Sequence, residues 1–246
     1  MRTDEYRRMY EAEDSFWWYA GLRALLRRVI AKSAASHGRA PRLLDAGCGT
    51  GANLAMLEEF GEGIGVDLSS TALEFSKRRG LTGLVRSSLL NLPFASGSFD
   101  AILSIDVLYH LWVADDSTAL AELARVLKPR GTLILQVAAF EFLRGSHDTV
   151  VFTRKRYTRR EVRNRVEAAG LKVQRITYRN SLLFPFVAAA RLLRRKEETA
   201  ASDVQMPGRF INSVLCGVLA IENAILSIMS LPVGSSVFCM ATKEPQ

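Results

Sequence analysis

The chain has 246 residues, 48% apolar and 24% charged, with a net charge of +8 and a pI near 9.7. These values exclude a disordered polyelectrolyte, describe one large ordered domain with room for an elaboration, and favour anionic partners such as nucleic acid, anionic lipid or phosphorylated substrates. Three scattered cysteines, Cys48, Cys216 and Cys239, form no C-x-x-C pair, so neither a zinc site nor a disulfide framework is expected, and a reducing cytoplasm fits.

The N-terminus, MRTDEYRRMYEAED, lacks the apolar core of a signal peptide, so export is not expected. No uninterrupted apolar run has the length needed to span a bilayer. Residues 1–38 read as helical cover, with Leu22, Leu25, Leu26, Val29 and Ile30 at helical spacing. Within it stands the block Phe16-Trp17-Trp18-Tyr19. Four adjacent aromatics cannot all face one core, so one or two should line a cleft. The alternative is a staple that packs the helix on a sheet. In the first case Trp18 or Tyr19 closes over a cationic ligand.

A buried strand begins at Leu43, carries Asp45 at its carboxyl end, and runs into Gly47, Gly49 and Gly51, spaced two apart. A helix over 52–60 follows at once, and its free N–H groups suit a negatively polarised ligand. The second strand, 63–68, ends in Asp67, and Ser69-Ser70 caps a helix over 71–79. A third strand near 84–86 leads into Ser87-Ser88-Leu89. The fourth, 100–105, ends at Ile105 and opens the loop DVLYHL, where Tyr109 and His110 stand at the strand end that binds ligands in open α/β sheets. For His110 a helix-start residue bonded to backbone is an equal reading. A helix over 117–127 stops at Lys128-Pro129-Arg130-Gly131, and strand five covers 132–137. Residues 139–152 read as a loop carrying His147 and Asp148.

Next comes FTRKRYTRREVRNR. A solvated helix starting at Thr158 accounts for Arg159, Arg160 and Arg163, whereas Arg156 and Tyr157 precede it on the ligand side of the sheet. Strand six is 173–178. The segment SLLFPFVAAARLLRRK ends in a basic cluster (Arg191, Arg194, Arg195), 197–206 is a polar link, and Pro207 opens a long apolar helix. That helix is wider than one face, which suits a cap, a dimer or a membrane surface. The chain closes with the strand SSVFCMATK.

Glycine loop plus Asp67 implies an adenosine-containing cofactor, because a carboxylate at the neighbouring strand tip can accept from both ribose hydroxyls. A nicotinamide dinucleotide loop would read G-x-G-x-x-G. Here the spacing is G-x-G-x-G preceded by Asp45, which resembles the loop of class I S-adenosylmethionine-dependent methyltransferases. Leu92-Pro93-Phe94, Ser98-Phe99-Asp100, DVLYHL and RVLKPRGTLIL follow in that family's order over about the first 140 residues.

The resemblance implies an α/β, Rossmann-like three-layer sandwich with a mostly parallel seven-stranded sheet and an antiparallel last strand. Its core would be 39–180 and 233–246, with N-terminal helices over 1–38 and a helical cap insertion over 181–232 above the active-site mouth. S-adenosylmethionine, with S-adenosylhomocysteine as product, would be held by Asp45, Gly47, Gly49, Gly51, Asp67, Leu68, Ser88, Leu89 and Ile105, with Arg23 on its carboxylate. The family often has an acid at Ser88 for the adenine amino group. A serine hydroxyl or the Leu89 N–H would do that work here.

Methyl transfer is then an in-line displacement, with a base required for a hydroxyl or ammonium acceptor. His110, His147 and Tyr157 are the catalytic candidates, and Trp18, Tyr19, Tyr109 and Arg156 the acceptor-binding ones. The favoured acceptor is a small apolar or amphiphilic metabolite. The runner-up is a lipid or lipid-linked acceptor met at a membrane surface. A tRNA acceptor is disfavoured because DVLYHL lacks an N-P-P-Y-type block, and a non-catalytic scaffold is disfavoured by the intact glycine loop. A homodimer through the C-terminal helices and peripheral contact with the inner membrane face complete the expected partners.

Overall fold

The computed structural model describes residues 3–34, 40–193 and 206–245. Arg194, Arg195 and all but the last residue of the 197–206 link lie outside them. Two helices, α1 (Thr3–Ala12) and α2 (Trp17–Ala34), precede the first strand, β1 (Arg42–Ala46). The alternation then runs α3 (Ala52–Glu58), β2 (Glu62–Asp67), α4 (Ser70–Arg78), β3 (Leu84–Arg86), β4 (Phe99–Ile105), α5 (Asp116–Val126) and β5 (Leu127–Ala138). It continues with α6 (Ser146–Val150), α7 (Arg159–Ala168), β6 (Leu171–Arg179), α8 (Phe184–Leu193), α9 (Arg209–Ile228) and β7 (Ser236–Lys243).

The seven strands form one sheet in the order β3-β2-β1-β4-β5-β7-β6, parallel except where β7 runs antiparallel between β5 and β6. Period-two alternation divides the central strands between two cores. Ile102, Leu133, Leu135 and Val137 face α5 and α7, whereas Leu103, Ile105 and Ile134 face α2, α3 and α9. This is the expected fold, with the antiparallel strand in its expected place.

Local chemistry sets the element ends. Ser69 caps α4 by accepting from the Ala72 N–H, and Thr158 and Glu161 form a reciprocal capping box at α7. The 139–152 segment, expected as a loop, instead contains a 3-10 turn at Glu141–Leu143 and the short α6. Asp148 organises it: its carboxylate accepts the Gly145 N–H at 2.8 Å and both Nε and Nη2 of Arg156 at 3.0 Å. β5 starts five residues earlier than expected because Leu127 pairs with Phe99 before a register shift, with Arg130 held at φ 64°.

Of the two helices inserted before β7, α8 covers the carboxyl ends of the strands. α9 lies on α2 instead. A Cβ on Gly21 would sit 2.9 Å from Leu219 Cβ and closer still to its Cδ1, so glycine permits the approach, and Asn223 Nδ2 donates to the Gly21 carbonyl at 2.8 Å.

Candidate active site

The carboxyl ends of β1 to β5 open into one cavity of about 1020 Å³. Single-ligand pockets run roughly 300 to 1,000 Å³, so a cofactor and a second small molecule can occupy it together. One end is built by the glycine loop. Gly47, at φ 91°, has no room for a side chain: a Cβ there would lie 2.7 Å from Val107 Cγ1 and closer to Cγ2. Gly49 donates its N–H to Asp67 Oδ2 at 2.9 Å, and Ser69 donates to Oδ1 at 2.8 Å. The Asp67 carboxylate is thereby fixed at the tip of β2, with lone pairs left for a ribose. Burial raises its pKa.

Leu68, Ser88, Leu89 and Ile105, the residues expected to hold the cofactor, line the cavity. The Ser88 hydroxyl accepts the Leu90 N–H at 3.2 Å, so it also shapes the β3 turn.

Three expected cofactor contacts fall elsewhere. Asp45 is buried beneath the loop, not on the cavity wall, with Oδ2 unpartnered and its pKa pushed up to about 8 by burial. Its place is structural, because β1 ends beneath α3 and the carboxyl accepts from Leu54 there. Gly51 lies outside the lining and packs on α4 and the residues after it: a Cβ there would meet Ser76 Oγ at 2.8 Å and Leu81 Cδ1 at 2.6 Å. Arg23 is buried away from the cavity, its Nη2 donating to the Glu13 carbonyl, so it pins the turn between α1 and α2.

The aromatic block exceeds its expectation: Phe16, Trp17, Trp18 and Tyr19 all line the cavity. The turn that ends α1 at Ala12 lets Phe16 point in from one side and the first turn of α2 supply the others. Trp18 and Tyr19 meet edge to face at 5.1 Å, and the Arg179 guanidinium lies 5.9 Å from the Trp18 ring.

Tyr109, His110 and His147 also line the cavity. Burial lowers the His110 pKa to about 4, so the ring is neutral at physiological pH, with Nδ1 buried and unpartnered. Arg156 faces the cavity, yet Asp148 and the Ala139 carbonyl, the latter at 3.0 Å, engage three of its N–H groups. Two remain for a ligand. Tyr157 is corrected outright. It is buried off the cavity and donates to Asp116 Oδ2 at 2.6 Å, joining a structural cluster with Arg154 and Arg165.

Several wall residues escaped the sequence reading. Glu13 is buried against the loop, accepting from Thr50 Oγ1 and from Arg79 Nη2 at 3.1 Å, and burial pushes its pKa up to about 7. Asp106, at φ 59°, accepts from Gln136 Nε2 at 2.7 Å, and burial raises its pKa to about 6. Asn180, at φ 58°, is a lining residue with a buried, unpartnered Oδ1. Asp106 and Asn180 follow β4 and β6 directly, a strand-end position that was a usable signal. Glu13 sits in a charged helix end and gave none. The far wall carries an apolar strip, Leu143, Leu183, Val187 and Ala190, beside the charged side chains of Arg144 and Arg191.

These residues fit S-adenosylmethionine. The glycine loop admits close backbone approach, the Asp67 carboxylate at the tip of β2 could accept from ribose hydroxyls, and four aromatic rings that would favour a sulfonium line the same cavity. Residues 44–135 match the model of a methyltransferase domain. "Probable tRNA methyltransferase 9B" of Homo sapiens is 38% identical over 100 residues, 40% of this chain and 22% of that protein. An O-methyltransferase of Aspergillus nomiae is 33% identical over 106 residues, 39% of this chain and 46% of that protein. The chain thus spans less than half the length of these relatives.

Geranyl diphosphate C-methyltransferase from Streptomyces coelicolor, solved with geranyl diphosphate and S-adenosyl-L-homocysteine, shares the fold at TM-score 0.59 and 16% identity, over 89% of this chain and 78% of that one. Residues 44–135 therefore form a methyltransferase domain, and its strand order and cofactor loop are similar to those of the class I S-adenosylmethionine-dependent methyltransferases.

Proposed function

We propose that this chain transfers the cofactor's methyl group to a small amphiphilic acceptor, one with a polar nucleophile on an apolar body. The observation that carries this reading is the single cavity joining the glycine loop at one end to Leu143, Leu183, Val187 and Ala190 at the other, with Asn180 Oδ1 and His110 Nδ1 as buried polar points between. Bound S-adenosylmethionine supplies a methyl already activated on a sulfonium. The protein's work is then alignment and exclusion of water. Trp18 and Tyr19 shape the space around the sulfonium, α8 closes the far wall, and Asn180 orients a donor on the acceptor. Neutral His110 and Asp106 are placed to take a proton from a hydroxyl or ammonium acceptor. Tyr157 drops out of that role.

The relatives' names include a tRNA methyltransferase and an O-methyltransferase. The test therefore incubates the chain with methyl-labelled cofactor and cell extract separated into RNA, lipid and small-metabolite pools. Label in the metabolite or lipid pool is expected; label confined to RNA refutes the reading. Calorimetry with S-adenosylhomocysteine checks the cofactor site independently.

A further inference from the structure

The outer surface of α8 and α9 is not accounted for by the cavity. Most of the large apolar side chains exposed among the described residues fall between Leu182 and Met229. Phe186 is 74% exposed, Phe210 82% and Ile228 87%. On α9 the outward positions Phe210, Val214, Gly217, Ile221, Ala224 and Ile228 recur every three or four residues and carry no charge. The charged residues of that helix are Arg209, at its start, and Glu222.

Glu222 is fully buried and ties the helix to the fold. It accepts the Asn180 N–H at 2.6 Å and the Leu182 N–H at 3.0 Å, and Leu226 enters the core beside it. Against the expectation that no apolar run is long enough to span a bilayer, α9 is long and apolar enough to cross one by length and composition, because Glu222 is its only interior charge; these inward contacts make it a wall of the domain with an apolar outer side.

The second observation lies at the carboxyl end of that side. Arg175 Nη2 donates to the Met229 carbonyl at 2.7 Å. Arg159, Arg160 and Arg163 surround a hollow with Ile176 and Ser230, the residue after Met229. Arg175 therefore stands at the end of the uncharged apolar stripe, and Arg159, Arg160 and Arg163, the last paired with Glu167 at 3.2 Å, reach that end around the edge strand β6 from the other face of the sheet.

We infer that this surface docks on an anionic phospholipid bilayer, with the α9 stripe in the boundary between head groups and acyl chains and Arg159, Arg160, Arg163 and Arg175 against lipid phosphates. Charge selects this occupant over a second copy of the chain, because a protein of net charge +8 repels itself and is drawn to an anionic surface. α8 connects the surface to the cavity, exposing Phe186 outward while Val187 and Ala190 line the far wall. If the proposed amphiphilic acceptor is correct, it would enter along α8 from the lipid; this last step alone rests on the functional reading.

The experiment is flotation of the full chain with vesicles of pure phosphatidylcholine and of an equal mixture of phosphatidylcholine and phosphatidylglycerol, at low and high salt. The mixed vesicles should carry the protein and lose much of it at high salt. Arg160→Gln with Arg163→Gln should weaken partitioning about 25-fold, from roughly fivefold per arginine. Phe210→Ser with Ile228→Ser should weaken it at least about tenfold by removing apolar contact. S-adenosylhomocysteine affinity should be unchanged in both pairs, which certifies folding.

A folded, cofactor-binding chain that stays in the aqueous fraction at low salt overturns the inference. So does partitioning unmoved by both pairs, or a dimer that Phe210→Ser with Ile228→Ser converts to monomer while no form binds vesicles. Vesicle binding that follows the variants in a chain with no affinity for S-adenosylhomocysteine leaves docking standing and removes the functional reading instead.

Discussion

Gly47→Ala tests the glycine loop most directly, because two separable costs meet at one atom. The backbone at φ 91° is left-handed, and holding a non-glycine residue near that region costs roughly 1–2 kcal/mol. The added Cβ would also press into Val107, 2.7 Å from Cγ1 and closer to Cγ2, an overpacking that costs about 1–3 kcal/mol. Together they predict a stability loss of roughly 2–5 kcal/mol. Affinity for S-adenosylhomocysteine should fall as well, since the loop can relieve the clash only by moving. Val107→Ala removes the methyl groups in the way, so the double variant should recover the steric part and leave the backbone part, a coupling of about 1–3 kcal/mol. Urea denaturation of the four proteins of the cycle measures it, with calorimetric titration of S-adenosylhomocysteine beside it. A coupling within about 0.5 kcal/mol of additivity, or a Gly47→Ala variant with unchanged stability and affinity, refutes the argument.

Asp67→Ala should weaken S-adenosylhomocysteine binding about 100-fold in calorimetry, from the loss of two hydrogen bonds to a charged acceptor. An effect below tenfold would remove Asp67 from the ribose. Tyr157→Phe removes a 2.6 Å bond to Asp116 and should cost about 1–2 kcal/mol in denaturation with cofactor affinity unchanged. Loss of methyl transfer at unchanged stability would restore Tyr157 as catalytic. For Glu13, burial raises the folded pKa from 4.5 to about 7, so the folded state binds the proton more tightly. Its contribution is most favourable below pH 4.5 and is lost as pH rises through 7. Glu13→Gln should shrink the stability drop between about pH 5 and 8 by on the order of 2 kcal/mol, and a drop unchanged from wild type would argue against it.

Local sequence determined the fold class and the cofactor end of the site, because both are written in short-range chemistry. Glycines two apart after a buried strand demand left-handed turns, and an acid at the next strand tip lies close in space by parallel pairing, as Ala46 and Val66 show in register. Serine at Ser69 and threonine at Thr158 marked their helix starts for the same reason. Tertiary packing alone decided which polar residues face the cavity. Arg23, Asp45 and Tyr157 have suitable chemistry at suitable positions, yet each is turned to a buried partner or to the core, and a side chain's direction depends on neighbours far along the chain. The reverse holds for Glu13 and Asn180, brought to the wall by Thr50 and Arg79 and by Glu222. The α9 stripe shows the same division. Its apolarity could be read from the residues, but only the docking of Leu219, Glu222 and Asn223 against α2 and the β6 end fixed which side remains outside.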